Sequence, residues 1–91
     1  MVIFKKLADI QQYIATVMAS SRQVGFVPTM GALHEGHASL VRQAIEGADI
    51  VVASIFVNPT QFNDKTDFEK YPISVEADIM MLIEAGCDVL F

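Results

Sequence analysis

The run Ile50-Val51-Val52-Ala53-Ser54-Ile55-Phe56-Val57 limits this chain to a narrow class of folds. It is rich in β-branched residues and does not alternate polar with apolar. Such a strand is covered on both faces, as in a parallel sheet flanked by helices. Asn58-Pro59 ends it. Helical and strand signals alternate around it. Residues 1–4 are short and apolar and predict a brief edge strand. Leu7, Ile10, Ile14, Val17 and Met18 follow helical spacing over 6–19, and the polar cluster Ser20-Ser21-Arg22-Gln23 stops that helix. Val24-Gly25-Phe26-Val27, closed by Pro28, predicts a buried strand. A helix over 37–46 carries Leu40, Val41, Ala44 and Ile45 on one face, with Gly47 as a left-handed stop. Ser74 is a good N-cap for a third helix with Glu76 in its first turn, a buried stripe of Val75, Ile79, Leu82 and Ile83, and Gly86 as its stop. Met18, Met80 and Met81 read as core filler. Asp88-Val89-Leu90-Phe91 begins another strand.

This order predicts an α/β fold, a right-handed parallel sheet with helices on both faces. Ligands of such sheets sit beyond the carboxyl ends of the strands. Two segments emerge there, residues 28–36 and 58–73, and a loop as long as the second is usually functional.

With 91 residues there is room for one small domain. An apolar fraction of 53% against 19% charged argues for a packed core rather than disorder. The net charge of −5 argues against nucleic acid as the main partner. A small anion held by local amides and imidazoles stays open. No apolar run is long enough to cross a bilayer, and Met1-Val2-Ile3-Phe4-Lys5-Lys6 lacks the order of a signal peptide. Cys87, the lone cysteine, forms no internal disulfide and suits a reducing cytoplasm as a buried, inert thiol. Three parallel strands would leave open edges, so the chain is expected to be the front portion of a longer protein.

Two constellations carry chemistry. The first is Pro28-Thr29-Met30-Gly31-Ala32-Leu33-His34-Glu35-Gly36-His37. Gly31 and Gly36 remove side chains where a ligand approaches the backbone. His37 starts a helix, where free N–H groups and the dipole favour an anion. His34, three residues earlier, can face the same point. Imidazoles there can donate to phosphate oxygens as charge develops on a leaving group, which suits adenylyl transfer from ATP. The same pair also fits helix caps or solvated surface. A zinc site lacks the His-Glu-x-x-His spacing and has Cys87 as its only thiol. No Gly-Lys-Ser/Thr follows, so this is not a Walker A loop. The second constellation is Phe56-Val57-Asn58-Pro59-Thr60-Gln61-Phe62. Asn58 and Gln61 offer amides to a small hydroxy acid and Phe62 an apolar wall; a plain Asn-Pro turn is the alternative.

Together these segments resemble the pantoate–β-alanine ligase family. Its opening signature stands here as Val27 through His37, continued by Ser39-Leu40-Val41. Its second signature stands as Ser54 through Phe62, and an Asp-x-x-x-Tyr-Pro stretch as Asp67 to Pro72. Membership implies a Rossmann-like fold of the nucleotidyltransferase superfamily. It implies condensation of pantoate with β-alanine through a pantoyl-adenylate, releasing AMP and pyrophosphate, with ATP as substrate and magnesium required. By position, Met30, Gly31, Ala32, Leu33, His34, Glu35, Gly36 and His37 would form the ATP loop. His37 would donate to the phosphates, supported by His34. Gln61, Asn58, Pro28 and Thr29 would line the pantoate and β-alanine pocket. The resemblance further implies a homodimer, with residues 1–91 as the front of the ATP-binding domain. Family chains continue into a lysine-bearing ATP segment and a smaller lid domain, so residues 1–91 by themselves are expected to be inactive. One departure is Ile73, where the family usually has Arg after Tyr-Pro. Two other readings remain: a related adenylyl transferase acting on another acid, and a non-catalytic α/β module self-associating through its sheet edge.

Overall fold

The computed structural model describes residues 1–56 and 74–91. Its elements run β1 (Val2–Ile3), α1 (Leu7–Ala19), β2 (Val24–Thr29), α2 (Glu35–Gly47), β3 (Ile50–Ile55), α3 (Val75–Ala85) and β4 (Val89–Leu90). The strands form one sheet in the order β1-β4-β3-β2, and every pair is parallel. Among the described residues the sheet has four strands rather than three, because Val2 and Ile3 pair with Val89 and Leu90 and cover that side of β4.

β3 is the axis of the sheet. It pairs with β2 from Val24↔Ile50 to Thr29↔Ile55 and with β4 at Val52↔Val89 and Ala53↔Leu90. Its side chains alternate between two cores. Ile50 and Val52 join Val89, Ile10 and Val17 under α1, with Phe4 and Tyr13 packed beside them. Val51 and Ala53 join Val27, Leu90, Cys87, Ala38, Val41, Leu82 and Ala85 under α2 and α3. Helices therefore lie on both faces, which is why β3 reads as a continuous apolar run.

Four expectations need correction. β2 continues through Pro28 to Thr29, where the sequence predicts a stop. Among the described residues it lies at the edge of the sheet, and an edge tolerates a residue with no N–H to offer. Nor is it buried on both faces: Val27 and Thr29 turn inward, while Phe26 is 61% exposed. The helices bury narrower strips than their apolar stripes suggest: Ile10 and Val17 in α1, Ala38 and Val41 in α2. Leu7, Met18, Leu40, Ile45, Val75, Met80 and Ile83 lie on the flanks of those strips and are exposed. Finally, Gly47 is the last residue of α2 and not a left-handed cap; Ala48 follows with φ −138°. The chain leaves that helix extended because Gln23 holds it. The Asp49 and Ile50 N–H groups donate to the Gln23 carbonyl, and the Gln23 N–H donates to the Asp49 carboxylate at 2.8 Å. Gly86, by contrast, is left-handed at φ 94° and ends α3 as expected.

Truncating Val51, 1% exposed between β3 and the α2–α3 layer, is expected to cost about 2 kcal/mol in urea unfolding. Phe26→Ser is expected to stay within about 0.5 kcal/mol of wild type in the same measurement.

Candidate functional site

β2 and β3 deliver Thr29 and Phe56 to the carboxyl end of the sheet, where the Phe56 N–H donates to the Thr29 carbonyl at 3.0 Å. The chain then turns sharply. Gly31 has φ 83° and Ala32 φ 51°, two consecutive left-handed residues. Glycine adopts that conformation without strain; alanine resists it by about 1 kcal/mol. Three acceptors hold the turn. The Thr29 hydroxyl accepts from the Gly31 N–H at 3.2 Å and donates to the Ser54 carbonyl at 2.8 Å. The Asp78 carboxylate accepts from the Ala32 N–H at 3.1 Å and the Leu33 N–H at 2.9 Å. Asp78 is only 3% exposed.

His34 follows as the N-cap of α2. Its Nδ1 accepts from the Gly36 N–H at 3.0 Å, and His37 Nδ1 accepts from the His34 N–H at 3.1 Å. The two rings lie 4.2 Å apart between centroids. A ring nitrogen that accepts a hydrogen bond carries no proton, so this pattern assigns both neutral imidazoles the Nε2–H tautomer. Each ring keeps one N–H donor to offer. Burial, and then the neighbouring His34, lower the His37 pKa, with the Asp78 charge opposing them.

Two sequence expectations change here. Most amides of the helix tip are not bare. The N–H groups of Gly31, Ala32, Leu33, His34, Gly36, His37 and Ala38 already have acceptors inside the chain, the last two on the His34 carbonyl. The side-chain donors left for a ligand are imidazole edges. Nor does Gly36 leave room for a ligand: a Cβ there would meet His34 Cε1 at 2.7 Å, so the His34 ring itself fills the space. Capping, the alternative reading of the histidine pair, is thus part of the site's construction.

The other candidates distribute as follows. Pro28 is exposed and Thr29 buried; Met30, Ala32, Leu33 and His37 are half-buried, Gly31 is buried, and His34, Glu35 and Gly36 are exposed. Asn58 and Gln61 lie outside the described residues, as do Phe62, the Asp67 to Pro72 stretch and Ile73. An apolar cleft of about 830 Å³ opens at the same end of the sheet, lined among others by Phe4, Ile55, Phe56 and Ile79. Cys87 is buried, and that burial raises its pKa, consistent with an inert thiol. Among the described residues, no helix is long and apolar enough to cross a membrane. Asp78 escaped the sequence reading. Its signal was an acid four residues before Leu82 and seven before Ala85, on the buried face of α3; a carboxylate there demands donors.

A family model described as pantoate-beta-alanine ligase matches residues 2–91. The pantothenate synthetase of Porphyromonas gingivalis is 53% identical over 91 residues, which make up 100% of this chain and 32% of that protein. That of Cytophaga hutchinsonii is 50% identical over the same shares of each chain. A crystal structure of pantoate-beta-alanine ligase from Francisella tularensis, complexed with beta-gamma ATP and beta-alanine, superposes with a TM-score of 0.83 at 44% identity. The match covers 100% of this chain and 34% of that one. Pantothenate synthetase from Thermus thermophilus gives a TM-score of 0.78 at 43% identity, over 100% and 31% of the two chains. The chain spans about a third of the length of the relatives it matches.

The lowered His37 pKa ties stability to pH. The unfolded chain takes up the proton first as pH falls, so stability is full above the ordinary histidine value of about 6.5 and declines as acid is added below it. Urea unfolding between pH 7.5 and 5 is expected to show that decline. His37→Gln, which can cap the His34 N–H without titrating, is expected to flatten it.

Proposed function

The chain belongs to the pantoate-beta-alanine ligase family, and from that premise we propose that it supplies the nucleotide-binding part of an ATP-dependent ligase joining pantoate to β-alanine. In the first half-reaction the pantoate carboxylate attacks the α-phosphorus of ATP and pyrophosphate leaves. In the second the amine of β-alanine attacks the acyl carbon of the pantoyl-adenylate and AMP leaves. Residues 1–91 are the front of the nucleotide-binding domain.

The observation that carries this reading is the pair of imidazoles at the tip of α2, each with Nδ1 committed to the backbone and Nε2–H left to donate. Two neutral donors fixed at a helix N-terminus suit phosphate oxygens whose charge grows as pyrophosphate departs. Their orientation is set before the nucleotide arrives, so little reorganisation remains for the reaction. His37 is the principal donor and His34 its support. Met30 to Gly36 form the loop against which the nucleotide lies, and Pro28 and Thr29 adjoin the substrates. Asn58 and Gln61 belong to the pantoate and β-alanine pocket by family resemblance.

Among the described residues no group of three His, Cys, Asp or Glu side chains is placed to hold a metal ion. Magnesium enters this reading as part of the magnesium–ATP substrate, bound to phosphates. A homodimer and a cytoplasmic setting complete the reading. Both rest on the family resemblance.

In the full-length chain, His37→Ala is expected to slow pantoate-dependent pyrophosphate release by roughly a hundredfold. Loss of its cap contact should lower Tm by only a few degrees; a wild-type rate would refute the assignment. A polypeptide of residues 1–91 alone is expected to release no pyrophosphate in response to pantoate, in the same assay.

A further inference from the structure

Asp78 stands apart from the residues that face the substrates. Its carboxylate is buried, and a buried charge persists only where its oxygens are satisfied. Here Oδ2 takes the Ala32 N–H and Oδ1 the Leu33 N–H, across 46 and 45 residues of sequence. Successive N–H groups converging on one point make a concavity of the kind that binds anions. The left-handed backbone at Gly31 and Ala32 creates that concavity, and the protein fills it with its own carboxylate. The acid lies in the first turn of α3, where the dipole favours negative charge. His34, the cap of α2, is the next residue after Leu33.

We propose that Asp78 is the positioning residue of the nucleotide loop: by occupying the amide concavity of Ala32 and Leu33 it fixes where the His34–His37 cap begins, and so where both Nε2–H donors stand for ATP. Asp78 touches no substrate. The phosphates meet the imidazole edges and not the amides of Ala32 and Leu33, which are already taken. Tying α3 to the loop also places a negative charge near His37, against burial and the His34 ring. This inference rests on the ligase reading for the identity of the nucleotide; the clamp itself is independent of it.

The test compares wild type with Asp78→Asn in the full-length chain. Asparagine keeps the shape but turns one acceptor into a donor aimed at an N–H. Hydrogen exchange of the Ala32 and Leu33 amides is expected to be slow in wild type and roughly tenfold or more faster in the variant. The KM for ATP should rise roughly tenfold, the loss expected from a hydrogen bond to a charged group, while the KM for pantoate holds. The His37 titration followed by NMR should move to lower pH, because one of the two groups acting on it has lost its charge. Unchanged ATP kinetics overturn the proposal, as does an equal rise in both KM values, which marks general loosening. If Asp78→Asn does not fold, Asp78→Glu takes its place, with the same KM split expected and the same results overturning it. A wild-type chain that binds no ATP overturns the ligase reading instead. The clamp is then judged on exchange alone, and unprotected Ala32 and Leu33 amides defeat it.

Discussion

A strand sealed from water on both faces must find partners for its peptide groups on both edges, and β3 is such a strand. Val51, Val52 and Ala53 are almost wholly inaccessible, so their N–H and C=O groups must be satisfied inside the fold: by β2 on one side, and on the other by β4 together with Asp88, whose carboxylate accepts from the Val51 N–H at 2.8 Å. That requirement brings residues 24–29 and 89–90 into one sheet and sends the intervening chain over its faces as helices. It also decides where chemistry can happen. The parallel strands end together, and the turn after β2 leads directly into the N-terminus of α2 beside the end of β3.

At that junction the polypeptide satisfies its own polar groups before any ligand is considered. Thr29 ties the turn to β3, Asp78 ties it to α3, and two histidines close the helix end against each other. The result is a tip tied down on several sides, which offers side-chain N–H groups with an assigned tautomer. Preorganised donors of this kind act on developing charge without first having to be ordered. Ala32, held in a left-handed conformation that alanine resists, shows that the turn is imposed by these ties and not by local preference.

Much of this is legible from residue order. The run from Ile50 to Val57 announces a doubly covered strand, Ser74 and Gly86 bracket α3, and His34 and His37 at helix-start spacing mark the candidate site. What escapes depends on long-range geometry. Pro28 reads as a breaker until β2 is known to lie at an edge. Leu40 and Ile45 read as core until the narrow contact strip of α2 is known. Asp78 reads as an ordinary first-turn acid until the amides that come to meet it, from 45 and 46 residues earlier, are in view. Local pattern reports what a residue wants; only the folded chain reports what it receives.

The pairing of β1 with β4 bears on the order of assembly during synthesis. The Val2 N–H bonds the Asp88 carbonyl at 2.9 Å and the Phe4 N–H bonds the Leu90 carbonyl at 2.8 Å. β1 therefore waits for a strand made more than eighty positions later before its ladder can close. Until then Val2 and Ile3 stay unpaired apolar residues on the nascent chain.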